Sequence, residues 1–197
     1  MKRTESVFRE ILYQVMEMKR NRLTQSELSK ELGISLSVVN LAVRKLESIG
    51  AVMVEQRSLK VIDTKKALYY WASIRNLEKD VVFKARMNLP VREMERNAPN
   101  VVFTAYSAYK LLFHDVPADY SEVYVYADAH GVEQIKKRLS SEIMVGMEPA
   151  NFFALKKDSL LERYDKIPMA QLFVDLWNLK EWYAREFVQE FEKRLGL

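Results

Sequence analysis

Gly33 separates two helical patterns, and the residues around it fix how the chain must turn. Thr24 and Glu27 have the spacing at which a hydroxyl and a carboxylate each satisfy an orphan backbone N–H at a helix start. A short helix is therefore predicted from Gln25 to Glu31, with Leu28 and Leu32 on one apolar face. Glycine enters the left-handed region without steric penalty, which ends that helix at position 33. Ile34 then turns inward, and Ser35 is an acceptable N-cap for a second helix reaching to about Ile49.

The second helix has two unlike faces. Advancing 100° per residue, Val39, Ala42, Leu46 and Ile49 fall on one side, and Ser37, Asn40, Arg44 and Ser48 on the other. A helix inserted into DNA needs side chains of the second kind. Asn can bond adenine bidentately, Arg can bond guanine or a phosphate, and Ser can meet either. On an isolated helix the same row is simply a solvated face, so the sequel decides.

Gly50 stops the helix, and AVMVEQRSLKVID follows as two β-rich runs, VMVE and LKVI, around a polar tip at Gln56, Arg57 and Ser58. The stretch from Glu27 to Gly50, ELSKELGISLSVVNLAVRKLESIG, together with this hairpin resembles the winged helix-turn-helix of bacterial and archaeal transcription regulators, over roughly residues 5 to 63. The resemblance implies a recognition helix, residues 35–49, in the major groove of double-stranded DNA and a wing, residues 52–62, on the backbone. The DNA-contacting set it implies is Ser35, Ser37, Asn40, Leu41, Arg44 and Lys45 on the helix, with Arg57 and Lys60 on the wing. Leu36 and Leu41 depart from the polar or basic residues that such regulators often place there. They mark a contact either with another subunit or with thymine methyls.

Charge is distributed accordingly. Residues 1–66 carry 13 Lys and Arg against 8 Asp and Glu, whereas residues 67–197 carry 18 against 19, so all the positive excess lies where a polyanion would bind. The chain has no Cys, which excludes disulfides and thiolate metal sites, and its two histidines, His114 and His130, have no ligand spacing. No cofactor is expected. The start, MKRTESVFREILYQVMEMKR, is charged and amphipathic without a signal peptide's apolar block, and no apolar run approaches the ~18 residues of a membrane span. A cytoplasmic protein that avoids membranes is the expectation.

Val7, Phe8, Ile11, Leu12, Val15 and Met16 predict a first helix that supplies core to this N-terminal domain, residues 1–63. A bridging helix from Thr64 to Leu77, capped by Asp63 or Thr64, and a polar linker closing near Pro99 fill residues 64–99. Residues 100–197 alternate element types: VVFTAYSAYKLLF as strand and helix, EVYVYAD as strand, VEQIKKRLSSE as helix, IMVGM and NFFALK as strands, and a long or broken helical tail from Pro168. The fold class is α+β, a winged helix followed by a small α/β domain.

The order FTAYSAYKLL, EVYVYAD, IPMAQLFVDLWNL resembles the C-terminal domain of AbiEi-like (type IV) antitoxins and related archaeal regulators, whose sheet is similar to the nucleotidyltransferase fold. That resemblance implies partner binding or assembly, and not an enzyme. The residues agree. Nucleotidyltransferases set two metal-binding acids one residue apart behind a Gly-Ser pair, but here Glu122 and Asp128 are six apart, with tyrosines between them and no Gly-Ser before them. Glu122, Tyr124, Tyr126 and Asp128 read as a polar sheet face, or alternatively as the lining of a ligand pocket. The expected protein is a DNA-binding transcription regulator, with an antitoxin that neutralises a partner enzyme and autoregulates its operon as the alternative. It is expected to form a homodimer, since one recognition helix contacts few base pairs, and to bind a partner protein or small effector through the C-terminal domain.

Overall fold

Every residue of the first helix from Glu5 to Leu12 is buried, including Glu5, Arg9 and Glu10. The computed structural model describes residues 1–197. It divides into one unit of Met1–Arg75 with Pro168–Val174 and Leu195–Leu197, and a second of Asn76–Ile167 with Asp175–Arg194. In the first unit α1 (Arg3–Met16) packs against α2 (Gln25–Leu32), α3 (Leu36–Ser48) and α4 (Thr64–Ile74). This central position explains why its polar side chains are enclosed along with Val7, Phe8, Ile11 and Leu12.

The helix-turn-helix forms as its residues require. Thr24 Oγ1 accepts from Glu27 N at 3.1 Å and Glu27 Oε2 from Thr24 N at 3.0 Å, closing the capping box. Gly33 takes φ 60°, and Ile34 N donates to Ser29 O to finish α2. Ser35 stands at the N-cap of α3, but its hydroxyl bonds Ser37 Oγ at 3.3 Å and caps nothing. Val39, Ala42, Val43 and Leu46 are fully buried. Three short strands, β1 (Arg22–Leu23), β2 (Val52–Val54) and β3 (Leu59–Val61), form an antiparallel sheet in the order β1-β3-β2. Asp63 Oδ1 caps α4 by accepting from Lys66 N at 2.8 Å. That helix ends at Ile74, three residues before the expected Leu77, because Arg75 is extended and Asn76 caps a separate 3-10 turn at Leu77–Asp80.

The segment expected to be a polar linker up to Pro99 is structured. It holds β4 (Val81–Ala85) and α5 (Val91–Asn97), both in the second unit. β4 lies at a sheet edge with Val82 half exposed and a bulge after Val81, so it lacks the regular apolar alternation that marks a strand. The remaining elements are β5 (Val102–Thr104), α6 (Ala105–Phe113), β6 (Val123–Ala127), α7 (Ala129–Arg138), β7 (Phe152–Lys156), α8 (Met169–Trp177) and α9 (Ala184–Leu195). The sheet order is β4-β7-β6-β5, with β6 and β7 parallel and the edges antiparallel.

IMVGM does not make a strand. Ile143 forms one bridge with Met87, after which Val145 is 92% exposed and Gly146 takes φ 73°. Apolar residues without a neighbouring strand to pair with do not extend a sheet. The tail is two helices, with the break between Trp177 and Ala184.

The central strand β6 is buried on both faces. Val123, Val125 and Ala127 join Met94 of α5, Val132 and Ile135 of α7, and Phe152 and Ala154 of β7 in one core. On the opposite face Tyr124 and Tyr126 are 6% and 2% exposed, so the expected polar sheet face is covered. Their hydroxyls are accommodated by carboxylates: Tyr124 donates to Glu181 at 2.9 Å and Tyr126 to Asp175 at 2.7 Å. Asp175, fully buried, also accepts from Thr104 Oγ1 at 2.8 Å. Asp128 has a local task as the N-cap of α7, accepting from Gly131 N at 2.7 Å. No helix is long and apolar enough to cross a membrane.

Candidate nucleic-acid interface

Helix α3 buries one side and leaves the other open. Ser35, Ser37, Leu41 and Arg44 are exposed, and Asn40 and Lys45 are half-buried. Leu36 and Leu41, at 54% and 50% exposure, stand outside the core as isolated apolar side chains on this open face. Arg57 lies exposed at the wing tip, and Lys60 is half-buried on β3. The helix thus carries six of the eight expected contact residues and the wing the other two.

Their electrostatic states differ. Arg22 on β1 is paired with Glu55 at 2.9 Å, and the Ser58 hydroxyl donates to the same carboxylate at 2.7 Å. The Ser58 bond first, then Arg22 and Lys60, hold the Glu55 carboxyl below its ordinary pKa against the opposing desolvation. Glu55 therefore absorbs basic charge on one side of the wing. Lys45 and Arg57 have no acidic side chain within ion-pair distance, which leaves their charge available to phosphate.

The polar row on α3 is internally bonded. Asn40 Nδ2 donates to Gln25 Oε1 at 3.1 Å, and Arg44 Nε donates to Asn40 Oδ1 at 2.9 Å. Ser48 Oγ bonds back to Lys45 O at 2.9 Å, so it is taken up by its own helix. Gln25 has no counterpart among the residues expected from sequence. It sits fifteen positions before Asn40, and only the turn at Gly33 brings the two together. The Asn40–Arg44 spacing of four was visible, since such residues are neighbours on a helix surface.

The second unit holds a cleft of about 380 Å³. Its floor is Tyr124 stacked on Phe153, with ring centroids 4.5 Å apart and planes 7° from parallel. Two ion pairs stand on its rim, Lys84 with Glu148 at 3.6 Å and Lys180 with Glu78 at 3.1 Å. Glu181 receives the hydroxyls of Tyr106 and Tyr124, and Glu122 that of Tyr183. Burial first, then the adjoining carboxylate, raises the pKa of Tyr106 and Tyr124 far above that of free tyrosine and pushes Tyr183 up to about 12. These phenols are donors that stay protonated at neutral pH. Of the four residues expected to share a polar face, Glu122 and Tyr124 line this cleft, while Tyr126 and Asp128 do not.

Residues 9–53 match the family of winged helix-turn-helix DNA-binding domains. No curated protein matches the chain. The match runs from α1 through α2, the Gly33 turn and α3 into β2, the elements that present the open row of Ser37, Asn40 and Arg44. The chain carries a winged helix-turn-helix DNA-binding domain at its N-terminus.

Proposed function

We propose that the protein is a sequence-specific, DNA-binding transcription regulator. Residues 35–49 enter the major groove, residues 52–62 lie along the backbone, and the second unit serves assembly or the sensing of a small effector. The observation that carries this reading is the open polar face of α3, flanked by Lys45 and by Arg57 on the wing, on a domain of the winged helix family. The cleft over Tyr124 and Phe153 supports a sensing role, because an apolar floor ringed by a few polar groups suits a small molecule. Selection of bound fragments from genomic DNA with the purified full chain tests the proposal. A shared motif among the bound fragments is expected, and recovery indistinguishable from input DNA overturns it.

A second reading is an antitoxin-like protein that neutralises a partner enzyme and uses DNA binding for autoregulation. Besides the resemblance of its C-terminal sequence to AbiEi-like proteins, it is favoured by Trp182, 79% exposed, and Trp177, 41% exposed. Tryptophan is enriched at protein interfaces and dominates their energetics. A toxin reading frame beside the gene, whose toxicity the protein relieves, would favour this reading. Relief retained after Trp182→Ala would remove its structural support.

A further inference from the structure

Gln25, the first residue of α2, reaches the outer face of α3. Its Oε1 accepts from Asn40 Nδ2 at 3.1 Å, and Asn40 Oδ1 accepts from Arg44 Nε at 2.9 Å. Each end of the Asn40 amide therefore has a partner. A bidentate grip on adenine would have to share or break both bonds, because it needs the same oxygen and the same amide nitrogen on one edge. Arg44 is in the opposite condition. Its Nε is occupied, while its two Nη groups make no hydrogen bond or ion pair on an exposed helix face.

An arginine reads guanine by offering two parallel N–H donors to O6 and N7. The guanidinium is planar, so a bond at Nε limits its rotation and leaves the two Nη donors as the end-on fork. The acceptor at Nε is itself held, because Gln25 fixes the Asn40 amide from α2. That helix start is in turn fixed by the Thr24–Glu27 capping box. We infer that Arg44 reads a guanine, and that Asn40 and Gln25 are positioning residues that orient its guanidinium without reading a base. The inference rests on the regulator reading above and goes further, since it assigns the base and separates the reading residue from its supports.

The test is selection from a random duplex library with full-length protein, followed by competition at fixed salt between the selected site and its single-base variants. Arg44→Lys keeps the charge but not the fork, and is expected to reduce the preference for one guanine roughly tenfold. Asn40→Ala is expected to lose preference at that same base pair, and Gln25→Ala to lose less of it. Asn40→Asp distinguishes the roles. Its carboxylate still accepts from Arg44 Nε, and accepts from Gln25 once that amide turns its Nε2 inward, but cannot donate to adenine N7, so the guanine preference is retained. Preferences lost at different base pairs in Asn40→Ala and Arg44→Lys would overturn the inference and leave the regulator reading standing. Equal losses on every sequence would do the same, by making Arg44 a phosphate contact. A wild-type protein that enriches no sequence would remove the regulator reading and the inference with it.

Discussion

Arg75 Nη1 stands 3.6 Å from Glu5 Oε2, with the two side chains only 2% and 4% exposed. The same carboxylate oxygen accepts from Trp71 Nε1 at 3.2 Å, and Oε1 accepts from Lys2 N at 3.2 Å. The pair ties the start of α1 to the end of α4. Removing Glu5 takes a carboxylate from the enclosed Arg75 guanidinium and an acceptor from Trp71, so Glu5→Ala is expected to destabilise the first unit by about 3 to 5 kcal/mol. Glu5→Gln keeps an acceptor for Trp71 and should do less harm. Urea denaturation followed by circular dichroism measures both, and a loss below ~1 kcal/mol for Glu5→Ala contradicts the assignment.

Phe173 belongs to the same unit although it lies far along the chain. It is fully buried and meets Tyr69 of α4 edge to face, at 5.5 Å between centroids. Phe173→Ala should destabilise by about 3 to 5 kcal/mol. The effect should appear as a lower melting temperature and as weaker DNA binding, because the first unit is the part disrupted. Unchanged stability would show that residue 173 is not core.

Phosphate contacts govern the salt response. With about four to six phosphates neutralised, log K is expected to fall against log salt with a slope near −4 to −5. Arg57→Ala should weaken all sequences alike and reduce the slope by about one. A salt-independent affinity, or a loss confined to one base pair, would contradict the proposed placement of the wing on the backbone.

The buried tyrosines make the second unit sensitive to base. Free tyrosine ionises near 10, whereas Tyr183 is held up to about 12, and Tyr106 and Tyr124 higher still. A raised pKa in the folded state means that the fold binds the proton more tightly than the unfolded chain does. The stabilisation is therefore complete below pH ~10 and is lost as pH rises through 12. Ultraviolet titration should show a fraction of the tyrosines ionising only as circular dichroism reports unfolding. Ionisation of all ten tyrosines near pH 10 with the fold intact would refute it.

A homodimer is the expected assembly, because two recognition helices on half-sites about 34 to 36 Å apart gain the specificity that one lacks. Leu36 and Leu41 remain exposed and available. In the tail, Leu172, Phe173, Leu176, Phe187 and Phe191 are consumed as core. Light scattering of the full chain at micromolar concentration should give twice the chain mass. A monomer mass that persists with one chain per specific duplex would rule the dimer out.

Local signals were legible in the sequence and non-local ones were not. Thr24, Glu27 and Gly33 each act within five residues, so their spacing sufficed to place α2 and the turn. β6 was legible because VYVYA is short and wholly apolar or aromatic. That neither of its faces is solvated was not, since the cover over the tyrosine face depends on Glu181 and Asp175, about fifty residues away. The enclosed Glu5, Arg9 and Glu10 follow no apolar period, because α1 is covered even on its polar side. In the set expected to contact DNA, the outward row of α3 could be read from periodicity, whereas the use of Asn40's amide by Gln25 required the angle between two helices.

The N-terminal unit is discontinuous, with residues 168–174 contributed from beyond the whole of the sheet. Met169 N donates to Glu17 Oε1 at 2.9 Å, and Phe173 packs on Tyr69. No single cut in the gene can therefore release an intact DNA-binding part. A truncation at residue 75 would strip it of that seam, and transplanting it to another effector would need two grafts in register. Heritable change in this protein is constrained accordingly: a recombination breakpoint between the two halves of the gene exchanges part of one unit along with the other.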